Sequence, residues 1–454
     1  MELKDFVVTP FIVLLVYAVA YVVRPAVCDP NNYKYFFPAL TVKIAGAIAL
    51  GFIYQFYYSG GDTYNYHTHG SRVIWNEFIR DPASGLSLIF LPNDWQGTAL
   101  NYFGSVHIAF YRDPASYFVI RTAAFFDLFT LSTYTATATI FAAISFAGAW
   151  MMFLAFYRAY PNMLNWLAVA IFFIPSVFFW GSGILKDTLV MAALGASVFL
   201  LQSVFLLRKG KTVINALLLV LCLLVIYTTK KYVLLCFMPA AILLIYLRRL
   251  FAIRSLALRL LMIPSVISFI VASSYYSLLK IGQGDAKYSL DKIALTAQVT
   301  AYDIRYYSGR DAGSGYSLGT LDGTLSGMLR MAPQAINVSL FRPYLWEVKN
   351  PLMLLSALES LVILGMTLFI VFKSPSRFIS AFNDPYVMFC IVFSITFAFA
   401  VGVSTYNFGT LARYKIPLLP FYVTGLILIY RNMTLKAAPP PEAQYDTFEK
   451  WPSN

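Results

Sequence analysis

Residues 213–249 read VINALLLVLCLLVIYTTKKYVLLCFMPAAILLIYLRR, two apolar runs separated by a short Thr-Thr-Lys-Lys turn and followed by two arginines. A helix that crosses the hydrocarbon core of a bilayer needs about 20 predominantly apolar residues. In lipid the backbone must satisfy its own hydrogen bonds, and a helix does so within one segment. The stretch therefore predicts two membrane helices joined by a tight turn.

The composition of the whole chain extends this prediction. Of 454 residues, 59% are hydrophobic and 12% are charged, and a soluble domain has about 25% charged residues. These figures exclude an ordinary water-soluble fold, a disordered chain, collagen and a coiled coil. The net charge of +13 does not indicate a nucleic-acid partner, because in a membrane protein the distribution of charge over the loops matters more than its total. The four cysteines show no disulfide or metal spacing.

Eleven apolar stretches have roughly the length of a membrane span. We therefore predict an all-α, polytopic integral membrane protein with about eleven transmembrane helices in a single domain over residues 1–430. The predicted spans are 6–23, 39–58, 133–157, 163–182, 188–207, 213–228, 232–247, 256–276, 352–372, 385–405 and 416–430. Two segments between them, 59–132 and 277–351, are too polar to be spans. Residues 431–454 are predicted to form a disordered cytoplasmic tail.

The short loops predict the orientation of the chain. With the C-terminus in the cytoplasm, the inner segments hold sixteen Lys and Arg residues, Lys43 among them, and the short outer segments hold six. Cytoplasmic loops carry the excess of Lys and Arg in membrane proteins. We therefore predict an outer N-terminus, an inner C-terminus and two long loops on the non-cytoplasmic side.

The pentapeptide RDPAS occurs twice in the first long loop, at 80–84 and 112–116. Asp followed by Pro is typical of a helix start, with Asp as the N-cap and Pro at the first helical position. Two copies are too few for a repeat architecture, so we predict two short helices on the membrane surface. The second, over residues 117–131, carries Arg121 and Asp127, which suits an interfacial helix better than a span.

The first long loop opens with GGDTYNYH at residues 60–67, directly after a predicted membrane helix. The two glycines allow a sharp turn of the backbone and present Asp62 at the membrane surface, where a carboxylate can act as a general base. The alternative is that the motif merely starts the next helix. His67 and His69 form an isolated HxH, which favours surface or structural histidines over a metal site.

Two short outer turns carry further charged residues. The turn WGSGILKD at 180–187 ends in Lys186 and Asp187, and the Thr-Thr-Lys-Lys turn contains Lys230 and Lys231. Adjacent lysines on the outer side run against the positive-inside trend, which suggests an anionic ligand. Alternatively, Asp187 only caps its helix and Lys186 only extends to the interface.

Two more motifs stand before predicted late helices. The motif FRPYLWE contains Arg342 and Glu347, which could bind substrate or pair with each other. The motif NFGTLARYKIPLLP contains Arg413 and Lys415, and arginine can bind phosphate through two parallel hydrogen bonds. Interface anchoring is the alternative. Glu359 lies inside a predicted span, where an ionisable group is by default a functional candidate.

The predicted topology brings these candidates, Glu359 excepted, to the outer face. Carboxylates and cations that converge there suggest an anionic, lipid-borne substrate. We expect one outward-opening cavity lined by residues that are distant in sequence, namely Asp62, Lys186, Arg342 and Arg413.

Three features, in this order, resemble the GT-C superfamily of membrane glycosyltransferases that use polyprenyl-phosphate sugar donors, and also bacterial O-antigen and exopolysaccharide polymerases. They are an acid at the start of a large first outer loop, the outer hairpin GSGILKDTLVMAALG, and the entry ARYKIPLLPF to a late helix. In that superfamily the loop acid activates the acceptor and basic residues hold the donor phosphate. Asp62 matches the acid and Arg413 matches the Arg-Tyr-x-x-Pro element. Many members have a pair of acids there, whereas Thr63 follows Asp62 here.

The resemblance implies a GT-C-like fold and a glycosyltransferase or polymerase that moves a sugar or oligosaccharide from a polyprenyl-(pyro)phosphate carrier. The reaction would occur on the non-cytoplasmic face of the inner (plasma) membrane. With the charged residues of the other outer motifs added, the predicted catalytic residues are Asp62 and Asp187. The predicted substrate-binding residues are Lys186, Lys230, Lys231, Arg342, Glu347, Arg413 and Lys415. No cofactor is implied, although Asp62 and Asp187 could hold a divalent metal together.

The alternative function is a transporter or flippase of lipid-linked saccharides. Transporters favour broken helices, polar groups near the bilayer midplane and inverted repeats. Most ionisable residues here cluster at one predicted surface, and the sequence shows no related halves.

The orientation is testable with single cysteines. A cysteine at Ser314 should react with a membrane-impermeant thiol reagent in intact cells, and one at Ser376 should react only after the membrane is opened. The measurement is labelling before and after permeabilisation. The reverse pattern would overturn the assignment of every candidate to the outer face.

Overall fold

In the computed structural model, every regular element among the described residues is a helix. The described residues are 2–91, 107–207, 212–251, 289, 292–307, 314–319 and 322–434. The predicted span 256–276 and residues 435–454 of the predicted tail lie outside the described residues.

The described residues form twenty α-helices. The first ten are α1 Leu3–Val27, α2 Tyr33–Phe52, α3 Asp62–Tyr66, α4 Arg72–Arg80, α5 Pro82–Phe90, α6 Pro114–Thr130, α7 Tyr134–Ala159, α8 Leu164–Phe172, α9 Pro175–Trp180 and α10 Lys186–Leu201. The next ten are α11 Thr212–Thr229, α12 Lys231–Phe251, α13 Ile293–Tyr307, α14 Leu325–Arg330, α15 Ala332–Phe341, α16 Pro351–Lys373, α17 Pro375–Ala381, α18 Pro385–Thr405, α19 Phe408–Tyr414 and α20 Leu418–Thr434. Helices α2 and α10 continue as wider π-helical turns to Tyr57 and Leu207.

Eight helices of the described part are long and apolar enough to cross a membrane, and a ninth span exists if α19 and α20, which meet at 66°, count as one. The eight are α1, α2, α7, α10, α11, α12, α16 and α18. This bears out a helical, membrane-type fold. Among the described residues, the predicted span 163–182 is broken into α8 and α9, and the total of eleven spans stays a prediction. Ile174 has an extended backbone before Pro175, since proline disfavours the helical conformation of the residue that precedes it.

The chain forms two compact units. The first comprises Met1–Met152, Phe172–Leu200 and Gly210–Leu234, and the second comprises Phe153–Ile171, Leu201–Lys209 and Leu235–Asn454. The single transmembrane domain predicted over residues 1–430 stays a prediction.

In the first unit, α2 packs against α9 through a buried lysine. The Nζ atom of Lys43 donates hydrogen bonds to the carbonyls of Val177 (3.3 Å) and Gly181 (3.0 Å) and to Oγ of Ser145 (3.0 Å). One turn further along α2, a Cβ added to Gly46 would lie 2.3 Å from the Phe178 carbonyl oxygen. Lys43 is therefore not a loop residue, as its inclusion among the inner residues implied, because α2 begins ten residues before it and buries it.

The two helix starts predicted from RDPAS are confirmed, and the position of these helices on the membrane surface stays a prediction. Asp81 caps α5 by accepting a hydrogen bond from the Ala83 amide, and Asp113 caps α6 by accepting from the amides of Ala115 and Ser116. Proline occupies the first turn of both helices. The two helices contact each other where the Tyr117 hydroxyl donates to the Leu88 carbonyl at 2.7 Å.

In the second unit, α18 packs against α15 and α20. A Cβ on Gly402 would lie 2.2 Å from the Ala335 carbonyl oxygen, and the Ser339 hydroxyl donates to the Ala398 carbonyl at 2.7 Å. Facing α20, the rings of Phe393 and Phe421 lie 4.4 Å apart between centroids. Small residues thus bring backbones close, as is typical where membrane helices pack.

Helices α7 and α10 of the first unit make an equally close contact. A Cβ on Gly148 would lie 2.1 Å from the Ala192 carbonyl oxygen, and one on Gly195 would lie 2.3 Å from the Gly148 carbonyl oxygen. These are backbone atoms, so a small side-chain adjustment cannot relieve the clash. The two glycines therefore fix the distance between the helices.

Gly148→Ala should destabilise the protein by about 1–3 kcal/mol, the usual cost of overpacking, and lower its unfolding midpoint in detergent. The control is Gly365→Ala on α16, where an added Cβ meets nothing within 4 Å and alanine gains about 0.5–1 kcal/mol over glycine in a helix. Equal midpoints for the two variants would contradict the close contact.

Candidate functional site

In the first unit, the Gly-Gly motif turns the chain sharply before Asp62. Gly60 and Gly61 have φ values of 136° and 126°, a region that residues with a side chain rarely adopt. A Cβ on Gly61 would also lie 2.6 Å from the Tyr54 ring. Gly61 is the N-cap of α3 and Asp62 is in its first turn. The predicted turn is confirmed, and it leaves Asp62 half-buried.

Two acidic residues from other segments of the first unit, Asp113 and Asp62, lie near Lys186. Its Nζ atom lies 3.0 Å from Oδ2 of Asp113, the N-cap of α6. It is also close enough to Asp62 and to Lys230 to interact with them electrostatically. The side chain of Lys186 keeps 19% of its surface exposed and that of Asp113 keeps 47%. The pair is therefore partly exposed at the surface of the first unit.

Asp113 is held in its charged form. Burial raises the pKa of its carboxyl, but a hydrogen bond from the Ser116 hydroxyl and the charge of Lys186 outweigh burial and hold the pKa below its ordinary value. Asp113 was not among the predicted site residues. Its signal in the sequence was the second RDPAS copy, and that pattern predicts only a helix cap.

Asp187 and Lys230 form a closed pair beside Lys186. The Nζ atom of Lys230 lies 2.5 Å from Oδ1 of Asp187, and the two side chains expose only 8% and 0% of their surface. Asp187 is the second residue of α10, and a carboxylate there also interacts favourably with the helix N-terminus. Lys231 is half-buried and its Nζ atom lies 5.4 Å from the Tyr227 ring centroid.

Three carboxylates and two ammonium groups thus lie in one region of the first unit. They come from four segments, namely the glycine turn, the N-terminus of α6, the N-terminus of α10 and the turn between α11 and α12. The group consists of Asp62, Asp113, Lys186, Asp187 and Lys230, and we call it the lysine–aspartate cluster. Sequence reasoning named four of its five members. Among the described residues, no group of three or more His, Cys, Asp or Glu side chains could hold a metal ion.

In the second unit, Arg342 pairs with Glu347. The Nε atom of Arg342 donates to both carboxylate oxygens at 3.1 and 3.0 Å, and its Nη2 atom also contacts Oε1. Burial raises the pKa of Glu347, but hydrogen bonds from Arg342 and from the Tyr344 amide outweigh burial and lower it. The sequence left two alternatives for Arg342 and Glu347, namely substrate binding or pairing with each other. In the structure the two side chains pair with each other.

Lys415 is fully buried in the second unit. Its Nζ atom donates to Oγ of Ser360 at 3.0 Å and to the Arg342 carbonyl at 3.4 Å, and it interacts electrostatically with Glu359. Arg413 lies buried on α19. Binding of substrate by Arg342, Glu347, Arg413 and Lys415 stays a prediction, and so does the single cavity expected to contain residues of both units.

The two histidines of the HxH motif differ. His67 is fully buried and His69 is exposed. The Nε2 atom of His67 lies 3.9 Å from Oδ1 of Asp127, which is also fully buried. No spacing rule connects a histidine in one loop motif with an aspartate sixty residues later, so the sequence did not indicate this pair.

No family model, curated protein or solved structure matches this chain. The resemblance to the GT-C superfamily therefore stays an expectation.

The pairing of Asp187 with Lys230 predicts a large effect on stability. Asp187→Asn keeps the shape but leaves the buried ammonium of Lys230 without this carboxylate, which typically costs about 3–5 kcal/mol. The double variant Asp187→Asn/Lys230→Met removes both charges and should recover most of that loss. Unfolding midpoints of the purified protein in detergent measure both effects. An unchanged midpoint for Asp187→Asn would contradict a structural role for the pair.

Proposed function

We propose that this chain is a membrane glycosyltransferase or polymerase. It takes a sugar or oligosaccharide from a polyprenyl-(pyro)phosphate carrier on the non-cytoplasmic face of the plasma membrane and transfers it to an acceptor hydroxyl. The observation that supports this proposal is the lysine–aspartate cluster. In this cluster Asp62 follows the glycine turn and lies near Lys186, a partly exposed lysine at the N-terminus of the membrane-length helix α10.

Two members of the cluster, Asp62 and Lys186, have a role in the proposed reaction. Asp62 accepts the proton of the acceptor hydroxyl, and Lys186 neutralises the phosphate that leaves with the carrier lipid. Proton transfer to a positioned base contributes about 10²–10⁴-fold to a rate. Charges that are already in place at a partly water-excluded site stabilise the developing negative charge of the leaving group.

The position of Lys186 favours an anionic ligand. Lys186 is the first residue of α10, where the partial positive charge of a helix N-terminus makes a cation unfavourable and an anion favourable. Asp113 and Asp62 offset that cost in the structure. A phosphate at the same point gains from both the ammonium group and the helix N-terminus.

A second candidate, a transporter of lipid-linked saccharides, is favoured by one observation in the second unit. Helices α19 and α20 meet at 66°, and the buried Lys415 lies at the break and interacts with Glu359. Broken helices with ionisable groups at the break are typical of secondary transporters. The same break also suits a site that holds a phosphate group without moving it.

Asp62→Asn should lower transfer at least about 100-fold, because the amide keeps the shape of the carboxylate but cannot accept the proton. The measurement is turnover of a polyprenyl-linked sugar donor by purified protein in detergent. Lys186→Gln should lower turnover about tenfold or more, since loss of a charge-assisted contact typically costs about 1.5–3 kcal/mol and about 1.4 kcal/mol is tenfold in rate.

The matched control is Lys349→Gln, which removes an exposed lysine of the second unit and should leave turnover unchanged. Detergent separates the two candidate functions, because a transporter has no membrane to cross there. Wild-type turnover that survives in Asp62→Asn would remove the role of Asp62. If the protein shows no turnover in detergent but moves lipid-linked sugar across the membrane of proteoliposomes, the transferase proposal is rejected in favour of the transporter.

A further inference from the structure

The end of α16 and the short helix α17 that follows it carry two exposed cations. Lys373 is the last residue of α16, and Arg377 lies in α17, four residues later. Both residues are exposed. They belong to the second unit and lie at the opposite end of α16 from Arg342 and Glu347, so they are separate from that ion pair.

Each of the two cations is held by a neutral acceptor on α20. The Nζ atom of Lys373 donates to the Tyr430 hydroxyl at 3.2 Å, and the Nη1 atom of Arg377 donates to the Met433 carbonyl at 3.3 Å. Tyr430 and Met433 are three residues apart near the C-terminus of α20, and residues at that spacing lie on the same side of a helix. Two cations from different helices are thus brought to one side of the same helix end.

The sequence around these cations contains almost no acid. Asp384 is the one acidic residue from 360 to 434. Its carboxylate already accepts hydrogen bonds from three neighbours, namely the Tyr160 hydroxyl, the Tyr386 amide and the Asn432 side chain. Within the described part of the chain, neither Lys373 nor Arg377 makes an ion pair. Two positive charges therefore lie close to α20 without a carboxylate beside them there.

The hydrogen bonds to α20 use only part of the capacity of the two groups. An ammonium group has three donors and a guanidinium group has five, and Lys373 and Arg377 each donate one hydrogen bond to a described residue. Because both residues are exposed, their other donors can be reached from outside the protein. An oxygen-rich anion can therefore bind to both groups without displacing a carboxylate.

General tendencies of membrane proteins explain the presence of these cations but not their arrangement. The excess of Lys and Arg in inner loops depends on charge alone. A cation near the C-terminus of a helix is favourable, which accounts for Arg377 at the Met433 carbonyl. Lys373 instead contacts a side-chain hydroxyl. Both side chains are held in place before any ligand arrives, which lowers the entropic cost of binding.

Exposed apolar side chains flank the two cations. Phe372 is 74% exposed and Ile379 is 73% exposed, and the Lys373 ammonium lies 5.3 Å from the centroid of the exposed Phe369 ring. Helix α16 is long and apolar enough to cross a membrane, and lysine or arginine near the end of such a helix extends to the headgroup region. The surroundings therefore suit a ligand that offers a phosphate to the cations and hydrocarbon to the apolar side chains.

We propose that Lys373 and Arg377 bind the headgroup phosphate of an anionic phospholipid, whose acyl chains lie along the exposed apolar side of α16. Basic pockets between membrane helices bind anionic headgroups in other proteins. A zwitterionic headgroup fits less well, because its own ammonium group would lie beside two cations. The inference goes beyond the proposed transfer reaction and is independent of it, since it requires binding alone.

The test is a lipid titration of the purified full chain in detergent, followed by native mass spectrometry. The probes are phosphatidylglycerol and phosphatidylcholine with the same acyl chains, and inorganic phosphate is the competitor. Phosphatidylglycerol should bind more tightly than phosphatidylcholine. An equal concentration of inorganic phosphate should not displace it, because phosphate lacks the contribution of the acyl chains.

Lys373→Gln/Arg377→Gln should weaken the binding of phosphatidylglycerol at least about tenfold, since each Lys or Arg near a membrane surface contributes about fivefold to the binding of anionic lipid. The exchanged variant Lys373→Arg/Arg377→Lys keeps both charges and should retain binding. The matched control is Lys34→Gln/Lys349→Gln, which removes two exposed lysines elsewhere and should bind like the wild type. If the first variant does not fold, Lys373→Gln and Arg377→Gln singly, each weakening binding about fivefold, decide the question.

Three results would overturn the proposal. The first is equal binding of the two lipids, or wild-type binding of phosphatidylglycerol by the glutamine variants. The second is displacement by inorganic phosphate at equal concentration, which would indicate a site for free phosphate. The third is binding that appears only after Glu442, Asp446 and Glu449 are changed to their amides, which would make the acidic C-terminal segment of this chain the occupant.

Discussion

The hydrogen bonds of Lys43 hold together the part of the fold that carries the candidate site. A helix that ends inside a membrane protein leaves carbonyls without partners, and lipid cannot satisfy them. Helix α9 is such a short piece, and Lys43 donates to the carbonyls of Val177 and Gly181 near its end. Gly181 begins the turn that leads to Lys186 and Asp187, so this buried lysine fixes the entry to the lysine–aspartate cluster.

Much of this architecture could be predicted, because the signals involved are local. Apolar length identified all eight membrane-length helices of the described residues. Asp-Pro identified the caps at Asp81 and Asp113, and Gly60-Gly61 identified the left-handed turn before Asp62. In each case the determining residues lie within a few positions of the feature. Sequence patterns report such features well, since backbone sterics and hydrogen bonding act at short range.

The features that could not be predicted depend on contacts between distant segments. The pairing of Asp113 with Lys186 joins residues 73 positions apart, and the approach of His67 to Asp127 joins residues 60 apart. Lys43 was counted with the inner residues because it lies near the start of the predicted span 39–58, although α2 begins at Tyr33. A buried charge is stable only with specific partners, and those partners are known only once the helices are packed.

The two groups of candidate residues differ in how completely their charges are satisfied. Arg342 is held by both oxygens of Glu347, so an incoming phosphate must displace a bidentate partner. Lys186 faces a carboxylate that is almost half exposed, and an exposed ion pair contributes only about 0–1 kcal/mol. Exchanging that carboxylate for a ligand phosphate therefore costs little, and the phosphate gains the N-terminus of α10 as well. Lys186 is thus more readily available than Arg342 to the anionic substrate that we propose, while the buried Asp187–Lys230 pair beside it supplies rigidity.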